Sequence, residues 1–129
     1  KRGMMNLRID THTHTVLSGH AHSTLLENLL FAKKKGLEGI VVTDHSGGME
    51  GVQSAACVGL LRDVPQEYDG VRIYRGTETN IINSKGEVDL PLRYLQFVVF
   101  AIPPMHDNVI CSQGEKQDTE AMIGVLNNP

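Results

Sequence analysis

Cysteine is scarce in this chain: Cys57 and Cys111 are its two thiols in 129 residues. Two thiols so far apart supply neither a disulfide framework nor a Cys-based zinc site, and they read as reduced packing residues of a cytoplasmic protein. Long apolar runs are missing as well. No stretch approaches the about 20 apolar residues that cross a bilayer, and Lys1 to Asp10 lacks the apolar centre of a secretory leader. A cytoplasmic location without membrane contact is the expectation. Charge of one sign is not in excess either. With 12 basic and 15 acidic residues the net charge is -3, so bulk electrostatics offer no surface for nucleic acid or membrane. Lys33-Lys34-Lys35 reads as the solvated last turn of a helix rather than a phosphate-binding patch.

The remaining composition, 40% hydrophobic and 21% charged, is that of a globular chain large enough for one core. One domain over 1–129 is expected. Asn127-Asn128-Pro129 reads as a turn leading into a further element, so the domain is expected to be truncated.

What is abundant is histidine. Of six, four lie between positions 12 and 22. Asp10-Thr11-His12-Thr13-His14 follows a short apolar run, Leu7 to Ile9, expected to be a strand. Residues i and i+2 of a strand share a face, so both rings can reach one point, and neutral imidazole is the commonest metal ligand.

The pattern around this segment predicts alternating strands and helices. Thr24 caps a helix with Glu27 as its capping-box partner; Leu25, Leu26, Leu29, Leu30 and Ala32 form its apolar face, and Gly36 ends it. Gly39 to Thr43 reads as a buried parallel strand, followed by a Gly-rich loop, Gly47 to Gly51. A weak helix is expected from about Ser54 to Arg62, a strand from Val71 to Arg75 and a small hairpin over Ile81 to Asp89. Gln96 to Ile102 is a strong strand. A final helix, capped by Asp118 or Thr119, carries Ala121, Met122, Val125 and Leu126. This order predicts an α/β fold with mainly parallel strands.

The chemistry-bearing residues fall on that map with regularity. His12 and His14 follow the first strand, Asp44 and His45 the second, Glu78 the third and His106 the fourth. The C-terminal ends of parallel strands are where α/β active sites assemble. Several histidines with a carboxylate and no thiolate suit zinc, manganese or iron, and Glu78 could bridge neighbouring ions. Two such ions hold a phosphate, lower the pKa of a bound water and stabilise a leaving oxygen. Metal-assisted hydrolysis of a phosphate ester is the expected reaction class. Asp44 is placed to orient His45 or to cap its loop, and Asp10 to support an imidazole or simply end the strand. The bland alternatives are surface histidines, a solvated carboxylate at Glu78, a loop histidine at His22 and a plain turn at Gly47-Gly48, whose N–H groups could otherwise touch phosphate.

These residues also carry a family resemblance. Asp10-x-His12-x-His14-Thr15, Thr43-Asp44-His45-Ser46 and Gly76-x-Glu78 resemble the first motifs of the PHP (polymerase and histidinol phosphatase) superfamily. The segment Val16 to Thr24, Arg75 to Ile81, Gly86-Glu87-Val88-Asp89 and Ala121-Met122-Ile123 are similar to its YcdX-type phosphatases. The resemblance implies the N-terminal part of a distorted (βα)7 barrel with three metal ions on its C-terminal face. It implies one ion on His12, His14 and Glu78, a second bridged by Glu78 and held by His106, and a third on His20 and His45. It also implies a later His-Pro motif and a terminal Asp-x-His, so this stretch alone is expected to lack part of the site. The function so implied is a metal-dependent phosphoesterase acting on a small phosphate monoester, with zinc the first metal and manganese or iron the alternatives. An amidohydrolase or TatD-like metal hydrolase is the competing enzyme reading, though Thr-Asp-His after the second strand speaks against it. A non-catalytic metal-binding PHP module, able to associate through an unfinished sheet, is the other.

Overall fold

The computed structural model describes residues 7–47, 56–83, 85–90, 96–101 and 114–127. In chain order these form β1 (Ile9–Thr13), α1 (Leu25–Lys34), β2 (Gly39–Val42), α2 (Ala56–Leu60), β3 (Glu67–Tyr68), β4 (Val71–Asn80), β5 (Phe97–Ala101) and α3 (Glu115–Leu126). The described strands make one open five-stranded sheet, ordered β1-β2-β4, with β3 and β5 both paired to β4. Three ladders, β1–β2, β2–β4 and β4–β5, are parallel; two-residue β3 runs antiparallel to the start of β4. Parallel neighbours need a crossover, which α1 supplies between β1 and β2.

Helix α1 forms for the reasons its sequence announces. Thr24 takes the N-cap with its side chain accepting from the Glu27 N–H, and the Glu27 carboxylate accepts in return from the Thr24 N–H. Gly36, at φ +74°, ends it in the left-handed region that favours glycine. Leu29 and Ala32 are buried against Ile40 and Val42 of β2, Val71 and Ile73 of β4, and Val58 and Leu61 near α2. Ile40 with Val42, and Val71 with Ile73, are i,i+2 pairs, so this core covers one face of the sheet. Leu25 packs at its border, whereas Leu26 and Leu30, expected on the same face, are exposed. Each residue turns the helix by about 100°, so only the Leu25-Leu29-Ala32 stripe points at the sheet.

A second, smaller core joins Ile81, Ala121 and Val125, with Val88 alongside. The Ile81–Asp89 hairpin is present as a single antiparallel bridge, Ile81 to Val88, flanked by Ile82 N–H to Glu87 O at 2.8 Å. Gly86 (φ +79°) meets α3 so closely that a Cβ there would lie 2.0 Å from Val125 N. The α3 helix starts earlier than its sequence suggests: Gly114 is the N-cap, without a side-chain bond, and Asp118 and Thr119 lie inside it. Met122 and Leu126, expected on its apolar face, are exposed, because Ala121 and Val125 form the i,i+4 stripe that packs.

Strand bounds differ from expectation: β1 runs over Ile9–Thr13 rather than Leu7 to Ile9, and β4 continues past Arg75 to Asn80, while β5 is described as far as Ala101. Ile102, Pro103-Pro104, His106, Cys111 and the loop after Gly47 lie outside the described residues. Among the described residues no helix is long and apolar enough to cross a membrane.

Candidate metal centre

The sheet register itself assembles half of the site. Along β2 and β4, Gly39 pairs with Arg72 and Val42 with Arg75, and the same offset continues past the end of β2 to pair His45 with Glu78. The bonds that make this bridge are Ser46 N–H to Glu78 O at 3.0 Å and Glu78 N–H to Asp44 O at 3.2 Å. Glu78 therefore sits inside β4, not beyond it, and its carboxylate is held by strand backbone.

The other half comes from β1. Its ladder with β2 slips between Asp10–Ile40 and Thr13–Val42, three steps in β1 against two in β2. An extra residue of this kind bends a strand and re-aims its side chains. His12 thus lies within β1 and His14 just after it, and their Nε2 atoms meet at 2.9 Å, as i,i+2 geometry predicts. His12 Nε2 is also 2.9 Å from Glu78 Oε2, and His14 Nε2 is 3.1 Å from the same oxygen. His20, carried by the loop after a 3-10 turn at Val16–Ser18, places Nε2 2.7 Å from His45 Nε2. His45 Nε2 is 3.9 Å from Glu78 Oε2.

Four imidazoles and one carboxylate thus converge in two overlapping groups, His12-His14-Glu78 and His14-His20-His45, each with ligand atoms within 4.8 Å of one another. His14 belongs to both. His22 belongs to neither, so of the two loop histidines His20 is the one brought in. His106 lies outside the described residues. Ligand atoms at about 2.0–2.1 Å from a tetrahedral zinc stand about 3.3 Å apart, close to the spacings seen here. Among the described residues the donor set is nitrogen and oxygen without sulfur, which fits a divalent ion of the zinc, manganese or iron type.

The electrostatics favour the ligand form of the rings. Burial pulls His14 below the ordinary imidazole pKa, with Glu78 opposing and His12 and His20 assisting. Burial does the same to His45, again opposed by Glu78. Both rings are therefore neutral at neutral pH, with a lone pair to offer.

Asp44 and Asp10 are engaged through backbone N–H and hydroxyl groups rather than through imidazole rings. The Asp44 carboxylate, on a residue only 6% exposed, accepts from Thr15 N–H (2.6 Å), Thr15 Oγ1 (2.7 Å) and Ser18 Oγ (2.6 Å). It does not touch the His45 ring, whose Nδ1 is buried without a hydrogen-bond partner among the described residues. Asp10 is exposed within β1 and accepts from the His12 N–H at 3.2 Å, so it shapes the strand and supports no imidazole directly. The residue that sequence reasoning missed is Ser18, fully buried and 2.8 Å from His14 Nδ1. A serine beside glycine reads as a turn residue; its single sequence cue is the position four residues after His14.

A second polar knot braces the site from β4. Asp89 accepts from Ser46 Oγ and Thr79 Oγ1, each at 2.6 Å, and from Asn80 Nδ2 at 2.7 Å. It ties the residue after His45 to the residue after Glu78, so the segments carrying His45 and Glu78 cannot separate without breaking charge-assisted bonds.

Known proteins that the chain resembles carry a consistent name. It is 40% identical over 131 residues to a protein of Caldanaerobacter subterraneus subsp. tengcongensis named probable phosphatase, covering 99% of this chain and 52% of that protein. A probable phosphatase of Acetivibrio thermocellus is 42% identical over 125 residues, and one of Vibrio vulnificus 41% over 122 residues. The chain spans about half the length of these curated relatives (52% and 49% of the last two). No protein-family profile matches it.

Proposed function

We propose that this chain carries the metal-binding part of a phosphoesterase of the PHP superfamily, acting on a small phosphate monoester. The observation that carries the reading is the convergence of four imidazole Nε2 atoms and one carboxylate oxygen at the C-terminal ends of β1, β2 and β4. The relatives named probable phosphatases support the phosphate ester as substrate. In this reading His12, His14 and Glu78 would hold one ion, and His20 and His45 would hold another, with the single Nε2 lone pair of His14 available to only one of the two. Glu78 and His106 would share a third, within a barrel of which the described sheet forms one side.

Held by these residues, divalent ions would supply charge for phosphate oxygens, for a water of lowered pKa and for the leaving oxygen. The chain's own residues do the rest. Glu78, fixed by the bridge to His45, offers its carboxylate to the group with His12 and His14. The neutral rings of His14 and His45 present lone pairs, and the nitrogen and oxygen donors among the described residues suit hard oxygen ligands such as phosphate. Zinc is the first choice for this donor set, manganese or iron the alternatives.

The test is hydrolysis of an aryl phosphate by the purified full-length protein, stripped with chelator and reloaded with zinc or manganese. The reading expects turnover that chelation abolishes and reloading restores. No turnover with any divalent metal, together with no metal by elemental analysis, overturns it. Bound metal without hydrolysis would instead mark a non-catalytic binding module.

A further inference from the structure

The proton on Ser18 can be placed from geometry alone. Asp44 Oδ1 lies 2.6 Å from Ser18 Oγ, and a carboxylate can only accept, so the hydroxyl hydrogen points at Asp44. The opposite arrangement, with the hydroxyl donating to His14, would set a carboxylate oxygen against hydroxyl lone pairs at 2.6 Å. With its one hydrogen so used, Ser18 Oγ has only lone pairs left, and it meets two groups: the His45 N–H at 3.3 Å and His14 Nδ1 at 2.8 Å. His14 Nδ1 must therefore be the donor. Every valence of the Ser18 hydroxyl is then satisfied, as burial requires.

We infer that Ser18 is a positioning residue, which through Asp44 locks His14 as the Nδ1–H tautomer and leaves its Nε2 lone pair for metal. The inference rests on the metal-centre reading above and extends it from ligands to what sets them. His14 Nε2 is common to both candidate groups, so its tautomer decides whether the ring can serve either of them. A free imidazole prefers its proton on Nε2, the nitrogen that here must be bare. The Asp44–Ser18–His14 chain opposes that preference, and the pull of the Glu78 Oε2 acceptor 3.1 Å from Nε2, before an ion arrives, and the Thr15 bonds hold Asp44 still. Ring-orienting partners of this kind typically govern metal affinity by one to two orders of magnitude. The role differs from that expected of Asp44, which acts on His14 through a hydroxyl and not on His45.

Imidazole nitrogen NMR on the metal-free, full-length wild-type protein tests this without any substitution. The expected spectrum shows His14 protonated at Nδ1; a proton on Nε2 overturns the inference. Ser18→Ala is expected to return His14 to a mixed tautomer, leave the His20 ring signals unchanged, and weaken zinc binding about tenfold or more in chelator competition. An unchanged tautomer with zinc affinity within twofold of wild type overturns it equally. Should Ser18→Ala not fold, the wild-type spectrum alone decides. A protein with this tautomer that binds zinc but hydrolyses no phosphate ester supports the role of Ser18 while overturning the phosphoesterase reading.

Discussion

Asp44→Asn is the perturbation whose cost the structure fixes most closely. The side chain is buried and accepts three short hydrogen bonds, two on Oδ1 and one on Oδ2. An asparagine can keep its carbonyl toward Thr15 N–H and Ser18 Oγ, but both bonds lose charge assistance, at about 1 kcal/mol each. Its amide then faces Thr15 Oγ1, which already accepts from the Leu17 N–H at 3.2 Å. The Thr15 hydroxyl must turn, and its hydrogen loses its acceptor at a further cost of about 1 kcal/mol. The sum is about 3 kcal/mol, a large part of the about 5–15 kcal/mol that holds a domain folded. With a urea slope of about 1–3 kcal/mol per molar, the unfolding midpoint of the metal-free protein should fall by about 1–3 M. No metal-binding candidate is removed, so zinc affinity should fall only through the freed His14 ring, about tenfold. A midpoint shift equivalent to less than about 0.5 kcal/mol, the size of an ordinary surface substitution, would refute the reasoning.

Other outcomes follow from the same geometry. Gly86→Ala places a Cβ 2.0 Å from Val125 N at φ +79° and should cost about 2–5 kcal/mol, seen as a lower melting temperature; an unchanged melt contradicts the close packing of the hairpin on α3. Leu29→Ala empties the centre of the larger core and should cost about 2–5 kcal/mol by denaturant titration, whereas exposed Leu30→Ala should cost little. His14 and His45 both titrate below the usual value of 6.5 because burial disfavours their charged forms. A folded pKa below the unfolded one means the unfolded chain binds protons first, so these rings contribute stability above about pH 6.5 that fades as pH falls. The unfolding midpoint of the metal-free protein, followed from pH 8 to about pH 5, should drop, and less steeply in His14→Gln; equal slopes contradict the burial argument.

Much of the candidate site's arrangement was legible because few residue types suit a metal ion and because strand periodicity is short. His12-x-His14 predicts a shared point, and the two Nε2 atoms meet at 2.9 Å. His45 and Glu78 were placed after successive strands, and the parallel register brings them together. Where sequence reasoning failed, polar groups were being buried by hydrogen bonds rather than by apolar pattern. The end of β4, Gly76-Thr77-Glu78-Thr79-Asn80, lacks the apolar alternation that marks a strand. It continues as one because Thr77 bonds the Asp44 carbonyl, while Thr79 and Asn80 bond Asp89. Ser18 escaped for the same reason. Two-residue β3 is too short to leave a pattern. In α1 and α3 the apolar residues exceed what their described neighbours cover, so hydrophobicity alone chose too wide a face.

The central claim, that these imidazoles and Glu78 form a divalent metal centre, is tested most directly by metal-edge X-ray absorption on the purified full-length protein. The account predicts bound zinc, manganese or iron with only nitrogen and oxygen neighbours, at about 2.0–2.1 Å in the zinc case, imidazole scattering in the outer shell, and loss of that scattering in a His12→Gln, His14→Gln double variant. A protein without stoichiometric metal, or one whose metal is bound through sulfur, would contradict it.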